Sequence, residues 1–186
     1  MNAPTNTDSA TATGKRRNFL YAGVGVAAGL AGAGLAWWKW TPQEAGREVA
    51  ADFWPLSFET PSGSTLAMQT LRGRPLLLNF WATWCPPCVE ELPLLDAFYK
   101  QNSSKSWQVL GLAIDQPKAV RGFLERTPVS FPIALGGVGG TELSKAFGNS
   151  SGGLPFSVVI GATGEVLQRR IGRVTAADLA RWSQAR

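Results

Sequence analysis

Residues 76–88 read LLLNFWATWCPPC, and this stretch decides the fold of the chain. Its first part, from Leu76 to Trp81, is a short and nearly continuous apolar run, as in a strand that is buried on both faces of a sheet. After Pro86, apolar residues recur at helical spacing as far as about Gln101, namely Val89, Leu92, Leu95 and Phe98. A buried strand that leads directly into a helix predicts an α/β fold, with two cysteines at the junction.

The segments on either side of this stretch extend the same pattern. Residues 53–71 contain short alternating pieces broken by prolines and a glycine, which favours an antiparallel hairpin. After the first helix we predict a second central strand at 107–114, a helix at 117–126, a strand at 129–135, a helix at 141–147, a hairpin of 156–160 with 165–171, and a last helix that Thr175 caps and that ends near Gln184. The predicted fold is a three-layer α/β sandwich with an added N-terminal hairpin and a central insertion.

Cys85 and Cys88 are the two cysteines of the chain, and they form a single C-x-x-C. A cysteine is nucleophilic as the thiolate, which the partial positive charge and free N–H groups of a helix N-terminus stabilise. We therefore expect Cys85 to attack, and Cys88, one turn further and more buried, to resolve the mixed disulfide. Pro86 and Pro87 suit the first helical positions and stiffen the loop. An inert structural disulfide is disfavoured, because so short a loop gains little closure entropy.

Composition excludes several other kinds of site. The chain has no histidine, which removes the commonest general base and metal ligand and every Ser-His or Cys-His arrangement. Two cysteines in one pair cannot complete a four-ligand zinc site. The net charge is +5, but the basic residues form no run with interleaved aromatics, so nucleic-acid binding is disfavoured. Without a flavin or nicotinamide motif, we expect no metal and no cofactor besides the redox-active Cys85–Cys88 pair.

The first 52 residues form a candidate export segment and linker. We divide the chain into a cytoplasmic n-region (1–17), a signal or anchor helix (18–40), a linker (41–52) and one folded domain (53–186). The Arg16-Arg17-Asn18-Phe19-Leu20 motif, followed by a Gly/Ala-rich stretch, resembles a twin-arginine export signal, and a Sec-type signal or anchor is the alternative. Either route places the folded domain on the non-cytoplasmic side of the membrane, because the basic cluster stays in the cytoplasm.

One feature of this segment favours its cleavage and another favours an uncleaved anchor. Gly34-Leu35-Ala36 offers a cleavage site, whereas Trp37, Trp38 and Trp40 resemble the interfacial aromatic belt of an uncleaved anchor. The anchor is favoured. The expected location is therefore the bacterial periplasm, with the domain tethered to the inner membrane or, after cleavage, released.

Most of residues 53–186 resembles the TlpA-like membrane-tethered thioredoxins, which include periplasmic reductases of the cytochrome c maturation pathway. The resemblance rests on the LRGRP stretch at 71–75, on NFWATWCPPC at 79–88, on Glu91 with Pro93, and on the GLP stretch at 153–155. It implies a thioredoxin-like fold in which the Leu154–Pro155 peptide is cis, Pro155 faces the dithiol and the backbone of Leu154 pairs with substrate. Family members usually have threonine where this chain has Phe156.

The same resemblance points to further site residues. Glu91 matches a carboxylate that the family uses near the active site, and it lies one helical turn from Cys88, so we expect it to accept the proton of Cys88. The alternative is that Glu90 and Glu91 only complement the helix dipole. Asn79 stands where thioredoxin itself has a buried aspartate, which closes that proton route.

Trp81 and Trp84 flank the turn before the dithiol and are expected to differ in role. Trp81 is predicted to pack in the core, the default for an aromatic residue in a strand. Trp84, just before Cys85, is predicted to border the groove where a partner peptide lies. Together with Pro86, Pro87, Leu154 and Pro155, Trp84 makes up the predicted substrate-binding set.

The leading functional hypothesis is a periplasmic protein-disulfide reductase. It would act on exported proteins such as apocytochromes c or copper-site precursors, with electrons from a membrane thiol carrier. The same fold could oxidise substrates instead, because the direction depends on the reduction potential. A different class of function is a thiol-dependent assembly factor that binds Cu(I) or an apoprotein through Cys85 and Cys88. A peroxidase is disfavoured, since the chain lacks a resolving cysteine elsewhere.

Overall fold

The computed structural model describes residues 51–184. The predicted n-region, the signal or anchor helix and nearly all of the linker lie outside the described residues. Within residues 51–184, no helix has the length and apolar character needed to cross a membrane.

A mixed sheet forms the middle layer of the described domain. Its strands are β1 (Ser57–Glu59), β2 (Thr65–Ala67), β3 (Leu76–Trp81), β4 (Gln108–Ala113), β5 (Ile133–Leu135), β6 (Phe156–Ile160) and β7 (Val166–Ile171). They lie in the order β2-β1-β5-β4-β3-β6-β7. The central strands β3, β4 and β5 are parallel, whereas the hairpins β1–β2 and β6–β7 join the sheet antiparallel. Both predicted hairpins are therefore confirmed.

Helices cover both faces of this sheet. They are α1 (Pro86–Asn102), α2 (Pro117–Arg126), α3 (Gly137–Ala146) and α4 (Ala176–Trp182), with short 3-10 helices at Met68–Leu71 and Ser103–Lys105. Apolar residues of α1, α2 and α4 pack on one face, which we call the α1-side core. Leu143 of α3, Phe147 and the residues before β1 pack on the other face, the α3-side core. The predicted three-layer sandwich is confirmed.

Alternation along β3 supplies both cores at once. All six of its residues are buried. Leu77 and Trp81 enter the α1-side core, and Leu76, Leu78 and Phe80 enter the α3-side core. Because successive side chains of a strand point to opposite faces, Asn79 lies on the α1 side between Leu77 and Trp81. A polar residue thus stands in the middle of an otherwise apolar row.

Two predicted boundaries were wrong, for different reasons. The strand expected at 129–135 is only Ile133–Leu135, because Pro128 and Pro132 have no N–H to donate to a ladder. Helix α3 begins at Gly137, four residues before the predicted start. The prediction missed this first turn because it is rich in glycine, a poor helix former. A Cβ on Gly140 would lie 3.1 Å from Cγ1 of Ile114. The glycine therefore lets α3 approach the end of β4 closely.

Candidate active site

The dithiol lies where the chain passes from β3 into α1. Cys85 is the N-cap residue of α1, and its backbone is extended (φ −102°, ψ 98°). Cys85 and Cys88 are joined in a disulfide with their Cα atoms 5.3 Å apart. Cys85 is 5% exposed and Cys88 is fully buried. The cysteine assigned to attack is thus the more accessible of the two.

One backbone N–H of the first helical turn is directed at the sulfur of Cys85. Pro86 and Pro87 occupy the first two helical positions and have no N–H. The next residue, Cys88, donates its N–H toward Cys85 Sγ at 3.3 Å and toward Cys85 O at 3.0 Å. A donor in this place, with the helix dipole behind it, stabilises negative charge on Cys85 Sγ when the disulfide is reduced.

The turn before Cys85 is fixed against the end of β4. Asp115 follows that strand, and its Oδ2 accepts hydrogen bonds from the backbone N–H of Thr83 at 2.8 Å and from the Thr83 hydroxyl. These bonds hold the turn that presents the cysteines. The sequence analysis missed both residues, because their pairing depends on the parallel register of β3 and β4.

Trp81 and Trp84 differ as predicted. Trp81 is fully buried, whereas Trp84 is 65% exposed. Trp84 lines a cleft of about 400 Å³ together with Ile114, Asp115, Gln116, Gly137, Val138 and Thr141. Val138 is 86% exposed. Two large apolar side chains, Trp84 and Val138, are therefore exposed to solvent in this cleft, and sequence reasoning had found only the first of them.

Glu91 is buried beneath the surface of α1. The residue is 1% exposed. Its Oε1 accepts a hydrogen bond from Nδ2 of Asn79 at 2.7 Å, and its Oε2 accepts one from the backbone N–H of Val174 at 2.8 Å. Burial raises the pKa of Glu91 above its usual value of 4.5, against the lowering effect of these hydrogen bonds and of nearby arginines. A buried carboxyl group on the turn next to Cys88 suits proton transfer better than a dipole-capping role, which needs no burial.

The preceding residue of the helix behaves differently. Glu90 is exposed, and its Oε2 forms a salt bridge with Arg173 at 2.6 Å. Arg173 and Val174 are neighbours in the loop between β7 and α4, so Glu90 and Glu91 both bind the same loop to α1. Glu90 acts at the surface, and Glu91 acts inside.

The loop before β6 faces the same region. The Leu154–Pro155 peptide is cis, as the resemblance implies. Pro155 is buried and its carbonyl oxygen accepts from the N–H of Gly172 at 2.8 Å. Leu154 is half-buried and packs against the α1-side core, which also contains Cys85 and Cys88. Pro86 is exposed and Pro87 is half-buried.

Phe156 does not enter this region. Its side chain is fully buried in the α3-side core, where its ring stacks on Phe80 with centroids 5.7 Å apart. The departure from the family's usual threonine therefore changes the packing behind the sheet rather than the surface beside the dithiol.

The described residues offer no alternative metal centre. In the part of the chain that the structure describes, no three side chains among cysteine, aspartate and glutamate come together in a way that could hold a metal ion. The chemistry that this arrangement can perform is thiol–disulfide exchange at Cys85 and Cys88, with the buried carboxyl group of Glu91 in the same helix.

The fold and this site define a thioredoxin-fold protein with a C-x-x-C disulfide at a helix N-terminus. The chain belongs to the redoxin family, whose family model matches residues 49–181. These features and the relatives described next confirm the resemblance to the TlpA-like thioredoxins.

Two relatives carry related names. The thiol-disulfide oxidoreductase ResA of Bacillus cereus is 32% identical over 118 residues, which are 63% of this chain and 66% of that protein. The match thus spans slightly less than two thirds of that relative. The sporulation thiol-disulfide oxidoreductase A of Bacillus subtilis is 29% identical over 151 residues, which are 78% of this chain and 88% of the relative.

Solved structures agree with this assignment. A thioredoxin-related protein of Neisseria meningitidis serogroup B has a TM-score of 0.62 and 31% identity, over 69% of this chain and 96% of its own. A thiol:disulfide interchange protein of Chlorobium tepidum has a TM-score of 0.60 and 30% identity, over 69% of this chain and 90% of its own.

Proposed function

We propose that this protein is a thiol-disulfide oxidoreductase that reduces disulfides in exported proteins, with apocytochromes c or copper-site precursors as the substrate class. The observation that carries the proposal is the position of Cys85 as N-cap of α1, with the N–H of Cys88 directed at its sulfur. The names of the relatives support the same activity.

The reaction runs in two exchanges. The thiolate of Cys85 attacks one sulfur of a substrate disulfide, the substrate S–S bond breaks, and the other substrate sulfur leaves as a thiolate that takes a proton from water. Cys88 then attacks Cys85 Sγ, which breaks the mixed disulfide and releases the first substrate sulfur as a thiolate. Two electrons pass to the substrate, and Cys85–Cys88 is left as a disulfide. A dithiol donor must reduce that disulfide before the next turnover.

Glu91 accepts the proton of Cys88 in the second exchange. The carboxyl group lies one helical turn from Cys88, and its raised pKa brings it closer to the range in which a carboxylate can act as a general base. Glu91 is held on both oxygens by Asn79 and Val174, so its position is fixed before substrate arrives.

A partner peptide binds between the loop before β6 and the cleft beside Trp84. The backbone of Leu154 and the ring of Pro155 take the segment around the substrate cysteine, with Pro86 and Pro87 below it. The cleft takes an apolar side chain of the same peptide, since Trp84 and Val138 expose apolar surface next to Cys85. Exposed aromatic residues of this kind commonly supply much of the binding energy at protein interfaces.

The proposed location is the bacterial periplasm, with the domain anchored to the inner membrane by residues 18–40. The support is the basic cluster at Lys15 to Arg17 followed by an uncharged stretch of sufficient length, and its similarity to a twin-arginine signal. The electron donor is a thiol carrier of the membrane. The Cys85–Cys88 pair is the redox centre, and no further cofactor takes part.

A trapping experiment tests the activity. Reduced wild-type protein should convert a synthetic peptide with a C-x-x-C disulfide to its dithiol, and Cys85→Ser should abolish this. Cys88→Ser should accumulate a covalent adduct of protein and peptide, because Cys88 can no longer resolve the mixed disulfide and only the second thiol of the peptide can reverse it. Mass spectrometry of the quenched mixture measures the adduct. A Cys88→Ser protein that forms none, while wild type reduces the peptide, would contradict the assigned roles.

A second measurement tests the direction of transfer. The reduction potential of the pair can be obtained by equilibrating the protein with thiol buffers and following tryptophan fluorescence. A value below roughly −220 mV, as in thioredoxin and in the glutaredoxins with the most negative potentials, is expected for a reductase. A value near about −120 mV, as in a strong oxidant, would overturn the reductase assignment.

A further inference from the structure

Three polar or small residues lie side by side beneath α1. The register pairs Asn79 of β3 with Ser157 of β6 on one side and with Gly111 of β4 on the other. Asn79 and Ser157 are fully buried. Burying an amide and a hydroxyl in an apolar core is costly unless they form hydrogen bonds. The row must therefore contribute something that an apolar row would not.

The hydrogen bonds of Asn79 are all made by one end of its amide. Its Nδ2 donates to Glu91 Oε1 at 2.7 Å and to Ser157 Oγ at 3.0 Å. Its Oδ1 is buried and has no hydrogen-bond partner among the described residues. This is the arrangement that an ionised Glu91 requires, because a carboxylate can only accept.

A Glu91 protonated on Oε1 would require the opposite arrangement, since Oε2 already accepts from the N–H of Val174. A carboxylic acid has one O–H to donate, and the two hydrogens of Nδ2 offer it no acceptor. If the amide turns over, Oδ1 takes the place of Nδ2 and can accept from the acid and from the hydroxyl of Ser157, which can both donate and accept. Two hydrogen bonds exist in either state, and one end of the amide is unpartnered in either state.

We propose that Asn79 is a positioning residue that turns over its side-chain amide, so that it donates to Glu91 as carboxylate and accepts from Glu91 as carboxylic acid. Ser157 is the second partner in both arrangements. The inference rests on the proposed role of Glu91 as proton acceptor for Cys88. A proton acceptor must be held in place before and after it takes the proton, and Asn79 would hold Glu91 in both states.

The other groups around Glu91 cannot bind it both as carboxylate and as carboxylic acid. Arg173 and Arg170 act on Glu91 from β7 and the loop that follows it, and Arg173 is engaged by Glu90 of α1 itself. The N–H of Val174 donates to Oε2 and cannot accept. The sheet contributes the uncharged Asn79 and Ser157, and α1 contributes Cys88, which is held in the disulfide. Of these groups, the Asn79 amide can serve both states.

Nuclear magnetic resonance of the oxidised full chain tests the proposal without any exchange reaction. The carboxyl carbon of Glu91 and the side-chain amide group of Asn79 are followed as the pH is raised. We expect the Asn79 signals to change at the same midpoint as the Glu91 signal. Glu91→Gln, whose amide mimics the acid by donating to Oδ1, should hold the Asn79 signals in their low-pH positions at every pH.

Substitution of Asn79 distinguishes turnover from a fixed donor. If Asn79 served only the carboxylate, Asn79→Leu would raise the proton affinity of Glu91 by roughly tenfold or more, the value of a hydrogen bond to a charged group. Turnover predicts a smaller rise than this, because the weaker hydrogen bond that supports the acid is lost together with the one that supports the carboxylate. Asn79→Asp should raise that affinity by more than about tenfold, since two carboxylates then share the site.

Either of two results would overturn the proposal. One is an Asn79 amide whose signals stay constant while Glu91 titrates, and this observation needs no variant to fold. The other is a Glu91 that does not titrate, which would leave no second state to bind. Because the protein is oxidised throughout, these outcomes are independent of the trapping experiment, and a failure of the exchange activity would be recognised separately.

Discussion

At the scale of single residues, Glu91 carries the clearest dependence on pH. Its pKa is raised by burial, so the folded protein keeps the Glu91 proton to a higher pH than the unfolded chain does. The stability that this proton contributes is fully present below the usual value of 4.5 and is lost as the pH rises through the folded pKa. Each unit by which the pKa is raised corresponds to about 1.4 kcal/mol.

Glu91→Gln should remove this dependence. The amide of the variant has no proton to lose, so its free energy of unfolding should rise relative to wild type as the pH increases above 4.5. Urea denaturation of the two oxidised proteins across a pH series measures the difference. Glu90→Gln, at the exposed neighbouring position, is the control and should show no such trend. A constant difference between Glu91→Gln and wild type would mean that Glu91 is not buried as an acid.

Trp84→Ala should weaken binding of peptides without changing the chemistry. The side chain is 65% exposed beside Cys85, and loss of an aromatic anchor commonly costs more than about 1 kcal/mol. We expect KM for a peptide disulfide to rise about tenfold and the rate with a small symmetrical disulfide to stay unchanged. Leu56→Ala, at an exposed apolar residue before β1, should alter neither. Equal losses with both substrates would indicate that Trp84 acts on the thiols themselves.

The site was only partly predictable from the sequence. The C-x-x-C spacing identified Cys85 and Cys88, and the family resemblance identified Glu91. The hydrogen bonds around Glu91 could not be found in this way. Val174 lies 83 residues from Glu91 along the chain, and Ser157, which Asn79 also binds, is 78 residues from Asn79 and meets it only through the register of β3 with β6. The same holds for Asp115 and Thr83. A motif describes neighbours in the chain, whereas these contacts are between neighbours in the sheet.

At the scale of elements, the positions of the helices depend on a few terminal residues. Helix α4 begins with a capping box, in which Thr175 Oγ1 accepts from the N–H of Asp178 and Asp178 Oδ2 accepts from the N–H of Thr175. The hydrogen bonds of Thr175 hold the pKa of Asp178 below its usual value of 3.8. Signals of this kind are local in sequence, as are Thr175 at the start of α4 and Pro117 at the start of α2, so these two starts could be predicted. The glycine-rich start of α3 has no such signal.

Thr175→Ala should destabilise the domain by about 1 kcal/mol at neutral pH, the usual cost of losing an N-cap. Ser183→Ala, at the other end of α4, should cost less than about 0.5 kcal/mol, as for an exposed surface change. Chemical denaturation measures both. The stability from Asp178 is present above 3.8 and is lost as the pH falls through its folded pKa, so the penalty of Thr175→Ala should become smaller in acid. A Thr175→Ala penalty that persists unchanged in acid would rule out this coupling.

At the scale of the whole molecule, the sheet separates two cores with different duties. The α1-side core holds the disulfide and Glu91 among apolar residues of α1, α2 and α4. The α3-side core contains a chain of aromatic contacts, from Phe53 to Phe147, from Phe147 to Phe80 and from Phe80 to Phe156. Chemistry is thus confined to one face, and the other face supplies stability.

Phe156→Thr, which introduces the residue usual in the family, should test this division. Removing a buried phenylalanine ring typically costs about 3 to 5 kcal/mol. We expect a loss of that size in the free energy of unfolding, while the exchange rate per folded molecule stays unchanged. Ile171→Thr is the matched control, because Ile171 of β7 pairs with Phe156 of β6 but is 54% exposed. This control substitution should lower the free energy of unfolding by less than about 1 kcal/mol. A lower exchange rate in folded Phe156→Thr would show that Phe156 also shapes the substrate groove.

The outermost strands of the sheet determine how copies of the domain meet. A strand edge with free N–H and C=O groups can recruit a strand from another chain, and short length or charged side chains discourage this. β2 has three residues, and β7 carries Gln168, Arg169 and Arg170 in its middle. Both edges therefore disfavour strand addition, so the domain should resist edge-to-edge aggregation at high protein concentration. The surface that we propose for recognition of other proteins, beside Cys85 and the exposed Trp84, is at the end of the sheet rather than along either of these edges.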